Sequence, residues 1–269
     1  MDSVSTVCFL LERGTPPRLN PILAETFTLL EAQGVTVSVR YPEEELIRLD
    51  TMTVDADLYL LKSDTEMALS LATALEGLGA RVLNRASASA LAKDKVVAAA
   101  VLHRAGIPAP RSLAASRPGQ LASHLASGPL IFKAHRGYHG VGLATVDRIE
   151  ALPGDDAYPD LAFAQTYLSR ARTDLKVLGI GDEVFGVRKP FGPDSYVKFG
   201  EPVPLSPELE AIARRCAKAF GLDLYGLDVA EAEDGSYAAV VDVNYFPGYR
   251  GVPDAARRLA GYIARAAGR

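Results

Sequence analysis

Residues 225–248 read YGLDVAEAEDGSYAAVVDVNYFPG, two β-prone runs on either side of Asp234-Gly235. The runs are nearly equal in length, so an antiparallel hairpin around this turn brings Asp228 opposite Asp242, within a residue. Asn244 lies two residues beyond Asp242 and shares its face of the strand. Opposed residues lie about 5 Å apart, where two carboxylates repel unless a cation lies between them. The spacing predicts three oxygen ligands for Mg²⁺ shared with substrate phosphates, although the same residues could merely end strands or cap turns.

A second segment, residues 129–142, reads PLIFKAHRGYHGVG. Lys133 closes an apolar strand, and Gly137, Gly140 and Gly142 follow within nine residues. Glycines let backbone N–H groups approach phosphate oxygens and the lysine adds a positive charge, which favours a phosphate-binding loop. The loop leads into another strand, whereas the dinucleotide fingerprint and the P-loop both lead into a helix. Taken alone, the segment is explained equally well by an ordinary flexible hairpin.

Two further segments place polar groups on predicted elements. One long alanine-rich helix is predicted from Ser87 or Ser89 to Gly106, and Lys95 lies within it, where a solvated run of charge is the simplest interpretation. The strand ending in the segment 165–168, QTYL, precedes a polar loop. Extended backbone at such a point can offer an amide and a carbonyl to the edge of an adenine ring.

A pair of cations lies on the strands around Gly181-Asp182, which reads as a tight turn. Lys176 and Arg188 alternate with apolar neighbours on these strands. One polar face is therefore expected to present both cations to a phosphate or a carboxylate, although a solvent-facing pair is an equally good interpretation.

The chain divides into three sections by pattern. Residues 1–86 alternate short apolar runs with helical patterns, which predicts an α/β lobe with a parallel sheet. Residues 87–164 form a central section with the glycine-rich loop, and residues 165–269 form a C-terminal section with the acidic hairpin.

Composition excludes several classes of protein. Apolar residues make up 48% and charged residues 23% of the 269 residues, as in an ordinary globular protein. The net charge is −4, and the basic residues are not concentrated in one part of the sequence, so we expect no nucleic acid partner. Cys8 and Cys216 predict neither a disulfide framework nor a zinc site. No signal peptide or membrane span is recognised, and we expect a cytoplasmic enzyme without a membrane partner.

The order of these motifs resembles the ATP-grasp superfamily, in the branch of the ribosomal protein S6 glutamate ligases. The most specific part of the resemblance is the segment 242–248, DVNYFPG, and the resemblance extends over most of the chain from Leu58 onward. It implies an α/β fold with α+β lobes, in which a parallel N-terminal lobe adjoins two lobes that clamp ATP. It also implies ATP and Mg²⁺, with Mn²⁺ as a possible substitute.

The resemblance assigns roles to individual residues. Magnesium would be bound by Asp228, Asp242 and Asn244. ATP would be bound by Lys95 and Lys133, by the loop glycines Gly137, Gly140 and Gly142, and by the adenine-binding residues Gln165, Thr166, Tyr167 and Leu168. The catalytic cations would be Arg188, facing the transferred phosphoryl group, and Lys176, while substrate would be bound by Tyr245, Gly248 and Arg250.

The resemblance implies an ADP-forming carboxylate–amine ligase that works through an acyl phosphate. Its substrates would be a small carboxylate and an amine, including the tail of a peptide or protein, and a homodimer is compatible with the family. Asp242 departs from this pattern, since the ligases usually carry Glu there, and Lys176 stands where many ligases have Arg. Both features occur in inositol polyphosphate kinases of the same fold, so a small-molecule kinase is the alternative. A nucleotide-binding protein without turnover is a third hypothesis, which the full ligand set disfavours.

Overall fold

The computed structural model describes residues 5–13, 19–136, 142–168, 173–190, 199–232 and 238–268. Within these residues the chain forms three β-sheets and six α-helices. The strands are β1 (Thr6–Leu11), β2 (Thr36–Arg40), β3 (Leu58–Lys62), β4 (Val82–Leu83), β5 (Ser112–Ala115), β6 (Leu130–Lys133), β7 (Ala144–Val146), β8 (Ala162–Thr166), β9 (Thr173–Ile180), β10 (Glu183–Pro190), β11 (Glu201–Val203), β12 (Leu224–Glu231) and β13 (Ala238–Tyr245). The helices are α1 (Pro21–Ala32), α2 (Glu66–Gly77), α3 (Ala86–Lys93), α4 (Lys95–Arg104), α5 (Pro207–Phe220) and α6 (Ala255–Ala267).

The N-terminal sheet is parallel, as the sequence predicts, with the strand order β2-β1-β3-β4. The side chain of Asn20 caps α1 and that of Thr65 caps α2. Gly34 and Gly79 follow these helices with φ of 79° and 91° and lead directly towards β2 and β4. This left-handed backbone is the reason that glycine stops each helix.

The central sheet is antiparallel, with the strand order β5-β8-β6-β7, and it has a small core of its own around Phe132 and Tyr158. Strands β6 and β7 pair across the glycine-rich segment, which confirms the predicted hairpin. The expected boundary between residues 164 and 165 falls inside β8, since this strand continues to Thr166 and belongs to the central sheet.

The C-terminal sheet has the order β11-β10-β9-β12-β13, and all of its pairings are antiparallel. One side, which we call the α5 face, includes Leu175, Val177, Leu227 and Val229 and packs in one core with α5. The other side, the α6 face, includes Leu178, Ile180, Val187 and Leu224 and packs in a second core with α6. Both cores also contain residues of β1 and β3, so the first and third sections of the chain share their interior.

The predicted single helix after Ser87 is wrong, because the chain forms two helices that meet at Asp94. Asp94 has extended backbone angles, and its carboxylate accepts hydrogen bonds from the amides of Val96 and Val97. A short acidic side chain competes with helix continuation in this way and favours an N-cap. The first helix also begins earlier than predicted, with Arg85 as its N-cap and Ser89 buried inside it.

A 3₁₀ run over Pro118–Ser127 precedes β6. Ser206 caps α5, Pro207 is its first residue and Gly221 ends it in the left-handed conformation. Over the described ranges, none of the helices has the length and apolar character that crossing a membrane requires.

Candidate active site

The two acids of the predicted hairpin lie directly opposite each other. Strands β12 and β13 pair Asp228 with Asp242, which confirms the prediction to within a residue, and an irregularity between Asp228 and Val229 shifts the ladder by the one position that makes them direct partners. Asn244 lies two residues further along β13 and is paired with Gly226. All three polar side chains are half-buried and belong to the α6 face. The sheet therefore brings two carboxylates and one amide to a single surface.

Each of these carboxylates faces a lysine. Lys176 is the cross-strand neighbour of Asp228, and its Nζ lies 2.5 Å from Oδ1 of that residue. Burial disfavours the charged ammonium of Lys176, but the Asp228 carboxylate outweighs this effect and raises the pKa of Lys176 above its usual value. Lys95, the first residue of α4, places Nζ 3.6 Å from Oδ2 of Asp242. The helix break at Asp94 is what puts this lysine at a helix start beside the acids.

The donor set fits a magnesium ion. The donors are oxygen atoms of two opposed carboxylates and one amide, which is the chemistry that Mg²⁺ prefers, with substrate phosphates and water completing the shell. No group of three His, Cys, Asp or Glu side chains suited to a metal occurs in the described ranges.

Lys133 connects the central lobe to the acidic hairpin. It lies at the end of β6, and its Nζ donates a hydrogen bond of 2.9 Å to the carbonyl of Val241, the residue next to Asp242. The amide of Lys95 donates to the carbonyl of His135, which closes a second link between the same parts. Both lysines predicted to bind ATP therefore lie next to β13, the strand that carries Asp242 and Asn244.

The glycine-rich loop is described only at its ends. Gly137 and Gly140 lie outside the described residues. Gly142 has a φ of 73°, and a β-carbon there would lie 3.3 Å from Cβ of Ala134, so a larger residue would be strained and crowded. The hydroxyl of Tyr158 donates a hydrogen bond to the Gly142 carbonyl and anchors the end of the loop to the central core.

At the end of β8, where adenine binding is predicted, some backbone groups already form hydrogen bonds to neighbouring segments. The amides of Thr166 and Tyr167 donate to the carbonyls of Arg111 and Pro129, so the predicted recognition of adenine would depend on carbonyl oxygens or on Leu168. The Gln165 side chain is buried, with Nε2 3.2 Å from the Ser112 hydroxyl, while Oε1 has no hydrogen-bond partner among the residues that the structure describes. A buried carbonyl without a donor is costly, which makes Oε1 a candidate acceptor for a ligand.

The expected substrate residues lie at the end of β13 and in the turn after it. Tyr245 is buried, and its hydroxyl donates to the carbonyl of Ser63 at 2.8 Å, so it ties β13 to the N-terminal lobe. Burial raises the pKa of Tyr245 well above that of an exposed phenol. The Gly248 carbonyl accepts a hydrogen bond from Asn20, again from the N-terminal lobe. Arg250 follows within two residues and is half-buried.

Lys176 and Arg188 do not share a face, so this expectation is wrong. Strand β9 pairs Lys176 with Val187 and Leu175 with Arg188, which turns the two cations to opposite sides of the sheet. Arg188 Nη1 lies 2.8 Å from Oε2 of Glu231. The cation of β10 that shares the α6 face with Lys176 is Lys189, which the sequence analysis did not single out. Counting the alternation outward from the predicted Gly181-Asp182 turn would have found it.

Comparison with known proteins places these features in a family context. Residues 92–265 match the family described as RimK-like ATP-grasp domain. A probable alpha-L-glutamate ligase of Haemophilus influenzae is 29% identical over 205 residues, which cover 69% of this chain and 66% of the relative. The chain thus spans slightly less than two thirds of the length of that curated relative.

Two solved structures are similar over almost their whole length. One is the RimK domain ATP-grasp protein from Sphaerobacter thermophilus, with a TM-score of 0.74, 20% identity and coverage of 96% of this chain and 99% of that one. The other is the ATP-grasp ligase PsnB, complexed with a variant of its minimal precursor, Mg and ADP, with a TM-score of 0.70, 21% identity and 99% coverage of both chains. At these identities the likeness establishes the ATP-grasp fold.

Proposed function

The chain belongs to the RimK-like ATP-grasp family, and we propose on this basis that it is an ATP-dependent carboxylate–amine ligase. A substrate carboxylate attacks the γ-phosphorus of ATP, and the bond to the β-γ bridging oxygen breaks, giving an acyl phosphate and ADP. An amine then attacks the acyl carbon, loses a proton and displaces inorganic phosphate. The product is an amide or a peptide bond.

The observation that carries the proposal is the convergence of two acids and three lysines at the pairing of β12 with β13. Asp228 and Asp242 are opposed, Lys176 and Lys95 each face one of them, and Lys133 binds the backbone beside Asp242. Phosphoryl transfer depends on positioning the reactants and on stabilising negative charge, and these acids and lysines are suited to both tasks. A structural hairpin has no need of two opposed acids supported by three lysines.

Asp228, Asp242 and Asn244 would hold the metal. Magnesium bound there would neutralise phosphate oxygens and act as a Lewis acid. Mn²⁺ accepts the same oxygen donors and is proposed as a substitute. Lys95 and Lys133 would bind ATP phosphates, and Lys176 would hold charge beside Asp228 during transfer.

The substrate side is proposed to lie between β3 and the turn after β13. The Nζ of Lys62, at the end of β3, lies 5.8 Å from the ring centroid of Phe246. Burial lowers the pKa of Lys62 and the charge of Arg250 adds to this effect, while Asp64 and Glu12 oppose it. Two cations that interact in this way favour an anionic ligand, so we propose that Lys62 and Arg250 hold a substrate carboxylate.

Relatives limit the range of substrates to be tested. The Haemophilus relative is named as a probable alpha-L-glutamate ligase, and another structure of PsnB contains the precursor peptide PsnA2. We therefore propose that the carboxylate or the amine is an amino acid, a small metabolite or the side chain or tail of a peptide.

Hydroxylamine trapping tests the ligase proposal. With ATP, Mg²⁺ and a panel of amino acids, dicarboxylates and acidic peptides, hydroxylamine replaces the amine and intercepts an acyl phosphate as a hydroxamate. We expect hydroxamate and ADP in about equal amounts for the true carboxylate, and neither product with Asp242→Asn. ADP together with a stable phosphoester, and without hydroxamate for any carboxylate, would replace the ligase by a small-molecule kinase.

A further inference from the structure

The strand β10 carries two adjacent cations that the sheet separates. Arg188 is paired with Leu175 and lies on the α5 face, where it meets Glu231. Lys189 is paired with Asp174 and shares the α6 face with Lys176, which in turn is paired with Asp228. Of the two, only Lys189 is on the side of the sheet that carries the proposed metal ligands.

Lys189 is buried by close backbone packing. It is 4% exposed, although lysine is among the residues least often buried. A β-carbon at Gly200 would lie 2.7 Å from Cγ of Lys189 and 2.4 Å from Cγ1 of Val187, so the segment at Gly200 lies directly on the stem of this lysine. A β-carbon at Gly251 would likewise lie 2.6 Å from Cγ1 of Val187. The two glycines thus allow the backbone to cover this part of β10.

The charged neighbours of Lys189 are those of the proposed active site. It interacts electrostatically with the cations Lys176 and Arg250 and with the acids Asp228 and Asp174. Burial, together with the charges of Lys176 and Arg250, lowers the pKa of Lys189 to about 8. A buried ammonium among other cations is costly, and a multiply charged anion placed among these groups offsets that cost.

We propose that Lys189 is a catalytic residue whose ammonium contacts the phosphoryl group in transfer, the role that family resemblance assigns to Arg188. The proposal rests on the ligase function proposed above. Lys189 would stabilise negative charge on the phosphoryl oxygens as the carboxylate attacks and ADP departs. Arg188 would instead hold β10 against the end of β12 through Glu231.

Three variants test the assignment: Lys189→Met removes the charge at similar length, Lys189→Arg keeps the charge, and Arg188→Met is the matched control from the opposite face. We expect Lys189→Met to slow hydroxamate formation by about 10²–10³, the usual effect of losing one preorganised charge-stabilising group. Lys189→Arg should recover part of this loss, and Arg188→Met should stay within about tenfold of wild type. A hundredfold loss in Arg188→Met beside a loss below threefold in Lys189→Met overturns the proposal.

Calorimetry supplies a readout that does not depend on turnover. Lys189→Met should weaken binding of the ATP analogue AMP-PNP with Mg²⁺ more than binding of ADP with Mg²⁺, because only the analogue carries the third phosphate. Equal weakening of both nucleotides, or of neither, overturns the proposal, and Lys189→Gln serves the same purpose if the methionine variant does not fold. If the wild-type enzyme proves to be a kinase, the ligase function fails while this nucleotide comparison still decides the role of Lys189.

Discussion

Replacing Asn84 by alanine should uncouple the N-terminal lobe from the strand that carries Asp228. Asn84 is 1% exposed and directly follows β4. Its Nδ2 donates to the Leu224 carbonyl at 2.7 Å, and its Oδ1 accepts from the amides of Asp223 at 2.8 Å and Leu224 at 2.9 Å. One side chain therefore satisfies three backbone groups at the start of β12.

The expected loss of stability follows from these three hydrogen bonds. A net contribution of about 1 kcal/mol for each bond, with a further penalty for buried groups left unsatisfied, gives about 3–5 kcal/mol. That is a large share of the roughly 5–15 kcal/mol by which domains are stable. In urea, with an m-value of about 3 kcal/mol/M, the midpoint should fall by about 1–1.7 M.

Tyrosine fluorescence and far-ultraviolet circular dichroism suit this measurement, because the chain has eleven tyrosines and no tryptophan. Ser70→Ala on the exposed side of α2 is the matched control and should change stability by less than about 0.5 kcal/mol. A change below 1 kcal/mol for Asn84→Ala, with an unchanged m-value, would refute the argument that these hydrogen bonds join the two parts.

Further predictions concern the site itself. Asp242→Asn should lower ADP formation by about 10² or more, because a metal's charge stabilisation is worth several kcal/mol, and wild-type activity at ordinary Mg²⁺ would remove the metal assignment. Lys133→Ala should weaken ATP binding as well as the rate, since its charge meets phosphates in the ground state, and an unchanged affinity by calorimetry would exclude it from the nucleotide site. Tyr245→Phe should cost about 1–2 kcal/mol of stability through loss of the hydrogen bond to Ser63, and an unchanged KM for both substrates would indicate a structural role, whereas a raised KM would support the predicted substrate role.

The acidic hairpin could be predicted from sequence because its register depends on local features. Two arms of nearly equal length around a turn place Asp228 within a residue of Asp242, and the irregularity between Asp228 and Val229 supplies the one-residue shift that makes the two acids direct partners. The same count applies to the strands around Gly181-Asp182 and pairs Lys176 with Val187. The predicted shared face of Lys176 and Arg188 was therefore wrong through a neglected alternation rather than through missing information.

Other features depend on contacts between distant segments and could not be predicted. The alanine-rich sequence favours one continuous helix, but the chain breaks at Asp94. The break is accompanied by a hydrogen bond from the Lys95 amide to the carbonyl of His135, about forty residues away. Lys189 is buried because the backbone at Gly200 packs against its stem, and the backbone at Gly251 packs against the neighbouring Val187. No local pattern distinguishes this buried lysine from the exposed lysines that alternation on a strand usually produces.

The ion pairs of the α6 face connect the predictions for the acids to those for the lysines. Lys176 and Lys95 face the two carboxylates that are proposed to hold the metal. A divalent cation bound by Asp228 and Asp242 would weaken the attraction between these acids and the two lysines, so that the lysine charges would be available to bind phosphates. Removing one acid consequently perturbs both the metal and the lysine that faces it, and the effects of Asp242 and Lys95 substitutions should not be additive.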